Sequence, residues 1–182
     1  RIRELIAMLT GENAPVPALA RTSLAPLVEQ LMDLDLRIKE LEAELLAWHR
    51  SSEESRRLKT IPGVGVITAT ALAATVTDPS HFRSGREFAA WLGLTPRQNS
   101  SGGKERLGRI SKMGDGYLRS LLVVGATAVM RYAREKPSWF SGLLARKPAR
   151  LVSVALANKM ARIAWALLAR KQTYQTQTSA FA

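Results

Sequence analysis

The stretch IPGVGVITATALAA, residues 61–74, decides how this chain folds. Pro62 cannot continue a helix, because it lacks an amide hydrogen and its ring clashes with the preceding turn. Gly63 and Gly65 allow the backbone to turn tightly, and the alanine-rich residues that follow favour a new helix. The stretch therefore predicts two helices joined by a short turn.

The same turn matches a way in which helices bind phosphate. It resembles a helix-hairpin-helix, in which a Pro-Gly-apolar-Gly turn offers backbone amides to a DNA phosphate. Gly63 and Gly65 would let the backbone approach the phosphate, and the helix N-terminus supplies unpaired donors. A tight helix–helix connection without a ligand has the same pattern, so the motif alone does not decide between the two.

Downstream of this turn the chain is predicted to be helical, and no run alternates as a strand does. Apolar periodicity predicts helices near 66–75, 84–92, 116–134, 138–145 and 149–171. Ser84 with Glu87 forms a capping box, Asp115 caps the third helix, and Pro148 precedes the last. Core side chains are expected at Phe88, Trp91, Leu94, Leu118, Leu121 and Leu122. The polar residues 172–182 predict a disordered tail.

Upstream of the turn, apolar residues recur at the spacing of a coiled coil. After a proline-rich break at residues 11–22, Ser23 is predicted to cap a helix with Pro26 in its first turn. Spacings of three and four alternate along Leu24, Leu27, Leu31, Leu34, Ile38, Leu41, Leu45 and Trp48. This period predicts a coiled-coil seam within residues 23–50, which would join a homodimer or higher oligomer through residues 24–48. An amphipathic helix lying against its own domain is the alternative. His49 is expected at the surface.

The positive charge is concentrated in the second half of the chain. Residues 1–60 hold nine Lys/Arg and ten Asp/Glu, whereas residues 61–182 hold eighteen and five, so the balances of −1 and +13 sum to the net charge of +12. Such an imbalance predicts a polyanionic partner, most commonly nucleic acid. We therefore divide the chain into a helical linker, 1–60, and a helical DNA-binding domain, 61–171.

Composition favours a cytoplasmic protein without a membrane partner. No apolar run approaches the roughly 20 uncharged residues that cross a bilayer, and no signal-peptide pattern is present. Cysteine is absent, which excludes disulfides and thiolate metal sites. The chain begins at Arg1, within a helical pattern, which predicts a fragment from which upstream residues have been removed.

The stretch TPRQNSSGGKERLGRISKMGDGYLR, residues 95–119, surrounds two serines with cations. Phosphate contacts are expected from Arg97, Lys104, Arg106, Arg109, Lys112 and Arg119; a solvated flexible loop is the alternative. A serine hydroxyl is a poor nucleophile without a base or metal. The chain has only His49 and His81 and no carboxylate cluster with metal-ligand spacing, so its residues alone argue against a catalytic Ser100 or Ser101.

Four segments are similar to the C-terminal domain of insertion-sequence 110/1111 family transposases: IPGVG, FRSGREFAAWLGLTPRQNSSGG, GRISKMGDGYLRSLL and ALANKMARIAWALL. The resemblance spans about residues 61–171. It implies that Ser101, the serine before the glycines, is the nucleophile that takes a DNA strand as a phosphoserine. Lys112, Gly114 and Arg119 match the family's motif closely, and Gly102 and Gly114 are expected to meet conformational needs.

The resemblance also implies parts that this chain lacks. The family pairs the serine with a RuvC-like N-terminal domain, whose four acidic residues (a DEDD set) hold magnesium. We therefore expect no metal or cofactor in this chain, and no activity from it alone. DNA and a structured bridge RNA are the implied partners.

The chain is predicted to be the C-terminal domain of a DNA transposase or site-specific recombinase that associates with the bacterial nucleoid. A non-catalytic helix-hairpin-helix module that binds nucleic acid and oligomerises through a coiled coil is the alternative. A third hypothesis is a scaffold whose seam recruits a partner and whose charge only concentrates that partner near nucleic acid.

Overall fold

The computed structural model of the chain describes residues 2–11, 16–98, 107–133 and 138–175. The chain divides into two compact units, Arg1–Leu46 and Ala47–Ala182. The described residues form eight α-helices, one 3₁₀ turn and one two-stranded antiparallel sheet. The prediction of an all-α fold is confirmed, since helices supply most of the core and the strands are short.

The first unit contains helix α1, Ile2–Thr10, and most of helix α2, Ala18–Ser51. The prediction that Ser23 caps α2 is wrong, because the helix begins at Ala18. The Ser23 hydroxyl instead donates to the carbonyl of Leu19 at 2.8 Å, a back-bond that serines make within helices. Pro26 consequently lies in the helix interior and not in its first turn.

The apolar seam of α2 is exposed along its whole length. The exposed fraction of its side chains runs from 37% at Leu24 to 59% at Leu41. Away from the seam, Arg37 pairs with Asp33 at 3.0 Å, as residues four apart on a helix can. The predicted helix is thus confirmed, and its pairing into a coiled coil stays a prediction.

The second unit is built around one long central helix. Its helices are α3 Glu53–Lys59, α4 Val66–Thr75, α5 Gly85–Trp91, α6 Gly116–Tyr132, α7 Ser138–Leu144 and α8 Ala149–Arg170. A 3₁₀ turn, Pro79–His81, precedes α5. Helix α8 contacts α3, α5, α6 and α7, and Met160, Ala161 and Ala164 on it are buried in the core.

Of the caps predicted in this unit, those of Asp115 and Ser84 are present, whereas Ser138 is the first residue of α7. Asp115 Oδ1 accepts from the amides of Tyr117 and Leu118 at 2.8 and 2.9 Å. Ser84 Oγ accepts from the amide of Glu87 at 3.3 Å, while the Glu87 carboxylate accepts from the amide of Arg83 and not from that of Ser84. The helices predicted from periodicity begin and end within about two residues of those observed, the usual uncertainty at helix ends.

The expectation of no strands is wrong. Strand β1, Pro96–Gln98, pairs antiparallel with strand β2, Leu107–Ile110. Strands of three and four residues are too short to show a sustained alternation of apolar and polar positions, which is the signal by which strands are predicted.

The expectation that His49 lies at the surface is also wrong. Its side chain is 6% exposed, and its Nδ1 atom lies 2.7 Å from the hydroxyl of Ser55 on α3. Helix α3 begins just after α2 ends, with Ser52 as its N-cap. Burial lowers the pKa of His49 below its usual value, and the positive charges of Lys59 and Arg56 lower it further.

Among the predicted core residues, two are less buried than expected. Phe88, Leu94, Leu118 and Leu122 are buried, whereas Leu121 is half-buried. Trp91 is 39% exposed, because it packs against Phe82 and Phe88 and leaves the rest of its ring in solvent.

Two features near the C-terminal end of this unit concern a candidate membrane span and the predicted tail. Helix α8 is long and apolar enough to cross a membrane by length and composition, but half of its apolar stretch is buried inside the structure. Within the predicted tail, Tyr174 is half-buried against the core and its amide donates to Thr60 Oγ1 at 2.9 Å.

Candidate nucleic-acid interface

An exposed β-hairpin carries the segment that contains the candidate serine. Gln98 at the end of β1 pairs with Leu107 at the start of β2, so residues 99–106 connect two neighbouring backbone positions. Ser100, Ser101, Gly102, Lys104 and Arg106 belong to that segment and lie outside the described residues. The described strands therefore define where the serine segment leaves and re-enters the fold.

The base of the hairpin is fixed to the end of α5. The amide of Ser111 donates to the carbonyl of Thr95 at 2.8 Å, and the amide of Lys112 donates to that of Gly93 at 3.2 Å. These bonds extend the pairing of the two strands down to Gly93, just after the end of α5. Asn158 of α8 adds a donor to the carbonyl of Leu94 at 3.2 Å, which ties the base to the central helix.

Gly114 lets the chain pass directly against α5 before α6 begins. Its φ of +75° is a left-handed conformation that side chains disfavour. A Cβ atom at this position would overlap the carbonyl oxygen of Trp91. The conformational need predicted for Gly114 is therefore present, with a steric need beside it.

Three of the predicted cations are exposed on the hairpin and its base. Arg97 lies on β1 and Arg109 on β2, while Lys112 follows β2 with an unusual positive φ of 54°. Arg97 donates through Nη2 to the carbonyl of Ser111 at 3.1 Å, which steadies its side chain along the hairpin. No carboxylate occurs in the described stretches 96–98 and 107–113, so these charges can attract an anion.

Arg119 has a different position from these cations. Its Nη1 donates to the carbonyls of Leu92 and Met113, at 2.9 and 3.2 Å, and so joins the end of α5 to the segment before α6. Its side chain is half-buried. The structure gives Arg119 a role in holding the hairpin base.

The turn that contains Gly63 and Gly65 gives these two glycines different surroundings. Gly63 has a φ of +85°, and a Cβ there would lie 2.7 Å from the carbonyl oxygen of Gly125 on α6. Gly65 is exposed, with open space where its Cβ would be, and no side chain caps α4. Gly63 thus serves helix packing, and Gly65 leaves the amides at the start of α4 accessible.

No metal-holding cluster of His, Asp or Glu side chains occurs among the described residues. His49 is buried beside Ser55, and His81 lies at the surface with its Nε2 atom 3.7 Å from Asp78 Oδ2. What the described site can do is bind an anion at an exposed, positively charged hairpin.

Sequence reasoning missed the residues that hold the hairpin in place. Asn158 bonds to a backbone carbonyl 64 positions away in the chain, and a single sequence has no local pattern for such a contact. Gly93 lies in the phrase Gly-Leu-Thr-Pro, and a glycine directly after an amphipathic helix is the signal that would have marked the turn.

The family model for "Transposase IS116/IS110/IS902 family" matches residues 55–140. This range includes the turn, the hairpin and all of α6. The chain is also similar to curated bacterial proteins along nearly its whole length, so the likeness is not confined to the hairpin.

Three relatives that align over 94% or more of this chain share 40% or more of the aligned residues with it. A probable family 20 transposase of Pseudomonas aeruginosa is 49% identical over 94% of this chain and 52% of its own length. A putative transposase of Sinorhizobium fredii is 44% identical over 98% and 49%. The transposase for insertion sequence element IS1111A of Coxiella burnetii is 40% identical over 94% and 48%. The chain therefore spans about half the length of these relatives.

Proposed function

Because this chain belongs to the IS116/IS110/IS902 family of transposases, we propose that it is the part of a transposase that binds DNA and supplies Ser101 as the nucleophile for strand cleavage and exchange. The observation that carries the proposal is the hairpin. Its two strands bracket the segment that bears Ser101, and its described surface is positively charged.

The rigid base of the hairpin suits a nucleophile that must meet a phosphorus atom at a defined position. A hydroxyl contributes to catalysis only when it is held near its line of attack. Backbone bonds to Thr95 and Gly93, the Arg119 clamp and the close contact at Gly114 fix both ends of the bracket. The two strands that flank the serine segment are thus held in place although they are short.

The exposed cations have two roles in this proposal. Arg97, Arg109 and Lys112 attract the DNA backbone, together with Lys104 and Arg106 of the serine segment. Guanidinium and ammonium groups also stabilise the charge that accumulates on the phosphate oxygens as the serine attacks. The open start of α4 at Gly65 offers backbone amides to a further phosphate of the duplex.

In the chemical step, the Ser101 oxygen forms a bond to phosphorus and the bond from phosphorus to a deoxyribose oxygen breaks. The serine loses its proton to a base, and the leaving sugar oxygen gains one. The strand remains attached as a phosphoserine diester, and this stored bond lets a second strand's hydroxyl replace the serine during exchange.

The described residues do not fit a magnesium site, since no cluster of carboxylates or histidines comes together among them. We propose that the acidic residues and the metal belong to the part of the family's length that this chain does not span. From the family resemblance we further propose that a bridge RNA guides the protein to its target and that the protein acts at the bacterial nucleoid.

The 182-residue chain is expected to bind duplex DNA without cleaving it, and the binding should weaken steeply with salt. If about six cations contact phosphates, the logarithm of the association constant falls with that of the salt concentration at a slope near −5. The double variant Arg97→Ala/Lys112→Ala should lower the slope by about 2, as measured by fluorescence anisotropy.

Arg131→Ala is the matched control, because Arg131 is an exposed cation at the far end of α6. It should leave the slope nearly unchanged. A flat salt response of the unaltered chain, or equal effects of the control and the double variant, would contradict phosphate binding at the hairpin. Cleavage by the chain alone would contradict the proposed outside source of metal.

We also propose that the seam of α2 joins two copies of the protein. Leu34 and Leu41 are 58 and 59% exposed, and burial of such leucines between helices is worth about 1.5–3 kcal/mol each. Replacing both with glutamate should raise the dissociation constant of the oligomer about 100-fold or more. Sedimentation equilibrium measures this change.

Leu36→Glu is the matched control for the seam, because Leu36 is 56% exposed but lies off the three-four spacing. It should leave the oligomer intact. If Leu36→Glu dissociates the protein as strongly as the double variant, or if the unaltered chain is a monomer at high concentration, the seam does not join subunits.

A further inference from the structure

A groove of about 870 Å³ lies in the second unit between the start of α5, helix α7 and the middle of α8. Its lining includes three cations, Arg86, Lys159 and Arg162, and two tryptophans, Trp139 and Trp165. None of these five residues belongs to the hairpin or to the serine segment. The groove is therefore a separate feature of the surface.

The charge of the groove is not neutralised from within. Arg86, Lys159 and Arg162 are exposed, and none of them forms an ion pair with a carboxylate in the described part of the chain. Helix α8, which supplies two of them, contains no Asp or Glu. Three cations with no acidic partner in a concave surface create an attractive site for an anion.

The aromatic side chains make the groove suited to more than a simple anion. Trp139 is 37% exposed, and Lys159 Nζ lies 4.2 Å from its ring centroid, in a cation–π contact. Trp165 donates through Nε1 to the carbonyl of Pro79 at 3.0 Å, which fixes its ring. Cations along a groove with accessible aromatic rings are the combination that binds single-stranded nucleic acid.

The groove is linked to the hairpin through two elements. Helix α5 has its start at the groove, at Arg86, and its end at the hairpin base; seven residues of helix separate these by only about 10 Å. Asn158, which lines the groove, donates to the carbonyl of Leu94 in that base. A DNA strand bound at the hairpin can therefore extend into the groove.

We propose that this groove binds a single-stranded segment of the DNA that is cut at the hairpin. Arg86 and Arg162 contact its phosphates, and an unpaired base stacks on Trp139 while Lys159 shifts to a phosphate. The inference rests on the proposed function for the choice of DNA as the occupant. It goes beyond that function by assigning a second site to the unpaired part of the strand.

The test measures how the 182-residue chain binds a fluorescein-labelled oligothymidine of about 12 nucleotides. Trp139→Leu and Arg162→Ala should each weaken this binding by about tenfold, and Arg162→Ala should also lower the salt slope by about 0.7. Trp139→Phe keeps an aromatic ring and should restore most of the affinity. Arg170→Ala, at the exposed end of the same helix, should bind as the unaltered chain does.

Thermal unfolding of each variant separates a binding loss from a folding loss. If Trp139→Leu and Arg162→Ala bind oligothymidine normally, or if Arg170→Ala is equally weakened, the groove does not bind the strand. Tighter binding of oligouridine of equal length overturns the assignment to DNA.

Duplex binding distinguishes this failure from that of the proposed function. If the hairpin variants lose duplex affinity while the groove variants bind oligothymidine normally, only the groove inference fails. If the hairpin variants keep duplex affinity while the groove variants lose the oligothymidine, the proposal for the hairpin fails instead.

Discussion

Replacing Ser101 with alanine in the intact transposase is expected to abolish strand cleavage while DNA binding is retained. The substitution removes the oxygen that we propose bonds to phosphorus, and it changes none of the cations of the chain. In enzymes where the effect of removing a covalent nucleophile has been measured, turnover falls by about 10⁴-fold or more. The measurement is the protein–DNA adduct, seen as a labelled band that survives denaturation.

Ser100→Ala is the control for this prediction, since it removes the neighbouring hydroxyl from the same segment. Adduct formation should persist in this variant, and fragmentation of the adduct by mass spectrometry should place the phosphodiester on Ser101. An adduct that persists in Ser101→Ala and disappears in Ser100→Ala moves the role to the other serine. An adduct that persists in both shows that neither is the nucleophile.

How far the sequence predicted the fold depended on the range of the interactions involved. Helices and their caps are local, so periodicity and the positions of Asp115 and Ser84 were enough to predict α5 and α6 closely. The start of α2 was misplaced because Ser23 can bond either way: outward as a cap or back to the carbonyl of Leu19. The residues around Ser23 allow either bond, and in the structure the helix extends past Ser23 to begin at Ala18.

The burial of His49 depends on its contact with Ser55 of α3, and no apolar periodicity or capping pattern in the sequence marks this contact. The same holds for the hairpin. Its two strands pair across a segment of eight residues, 99–106, and its base is held by Asn158 from the last helix. Pairings of this kind are non-local, and a single sequence does not encode them in any short pattern.

For the candidate site, composition predicted the cations but not their separate positions. Arg97 and Arg119 are equivalent in a charge count, yet one is exposed on a strand and the other is half-buried against two carbonyls. The groove of Trp139 and Arg162 was not predicted at all, because its residues come from three helices, and the hairpin and α6 separate α5 from the other two in the chain.

Replacing Gly114 with alanine is expected to destabilise the fold strongly. Holding alanine at a φ of +75° costs about 1–2 kcal/mol. In addition, its Cβ would overlap the carbonyl oxygen of Trp91, which is backbone at the end of α5 and cannot rotate away. The last turn of α5 would have to move, and with it the Leu92 carbonyl that Arg119 holds.

The total loss should be about 3 kcal/mol or more in the free energy of unfolding, measured by urea denaturation of the 182-residue chain. Gly142→Ala is the matched control, because Gly142 lies in helix α7 with open space where its Cβ would be. That change should be neutral or stabilise by about 0.5–1 kcal/mol, since alanine favours a helix more than glycine does. If Gly114→Ala unfolds at the same urea concentration as the unaltered chain, the contact between Gly114 and α5 is not what holds the hairpin base. If Gly114→Ala and Gly142→Ala both stay folded and lose duplex affinity to the same extent, the loss of affinity does not come from the hairpin.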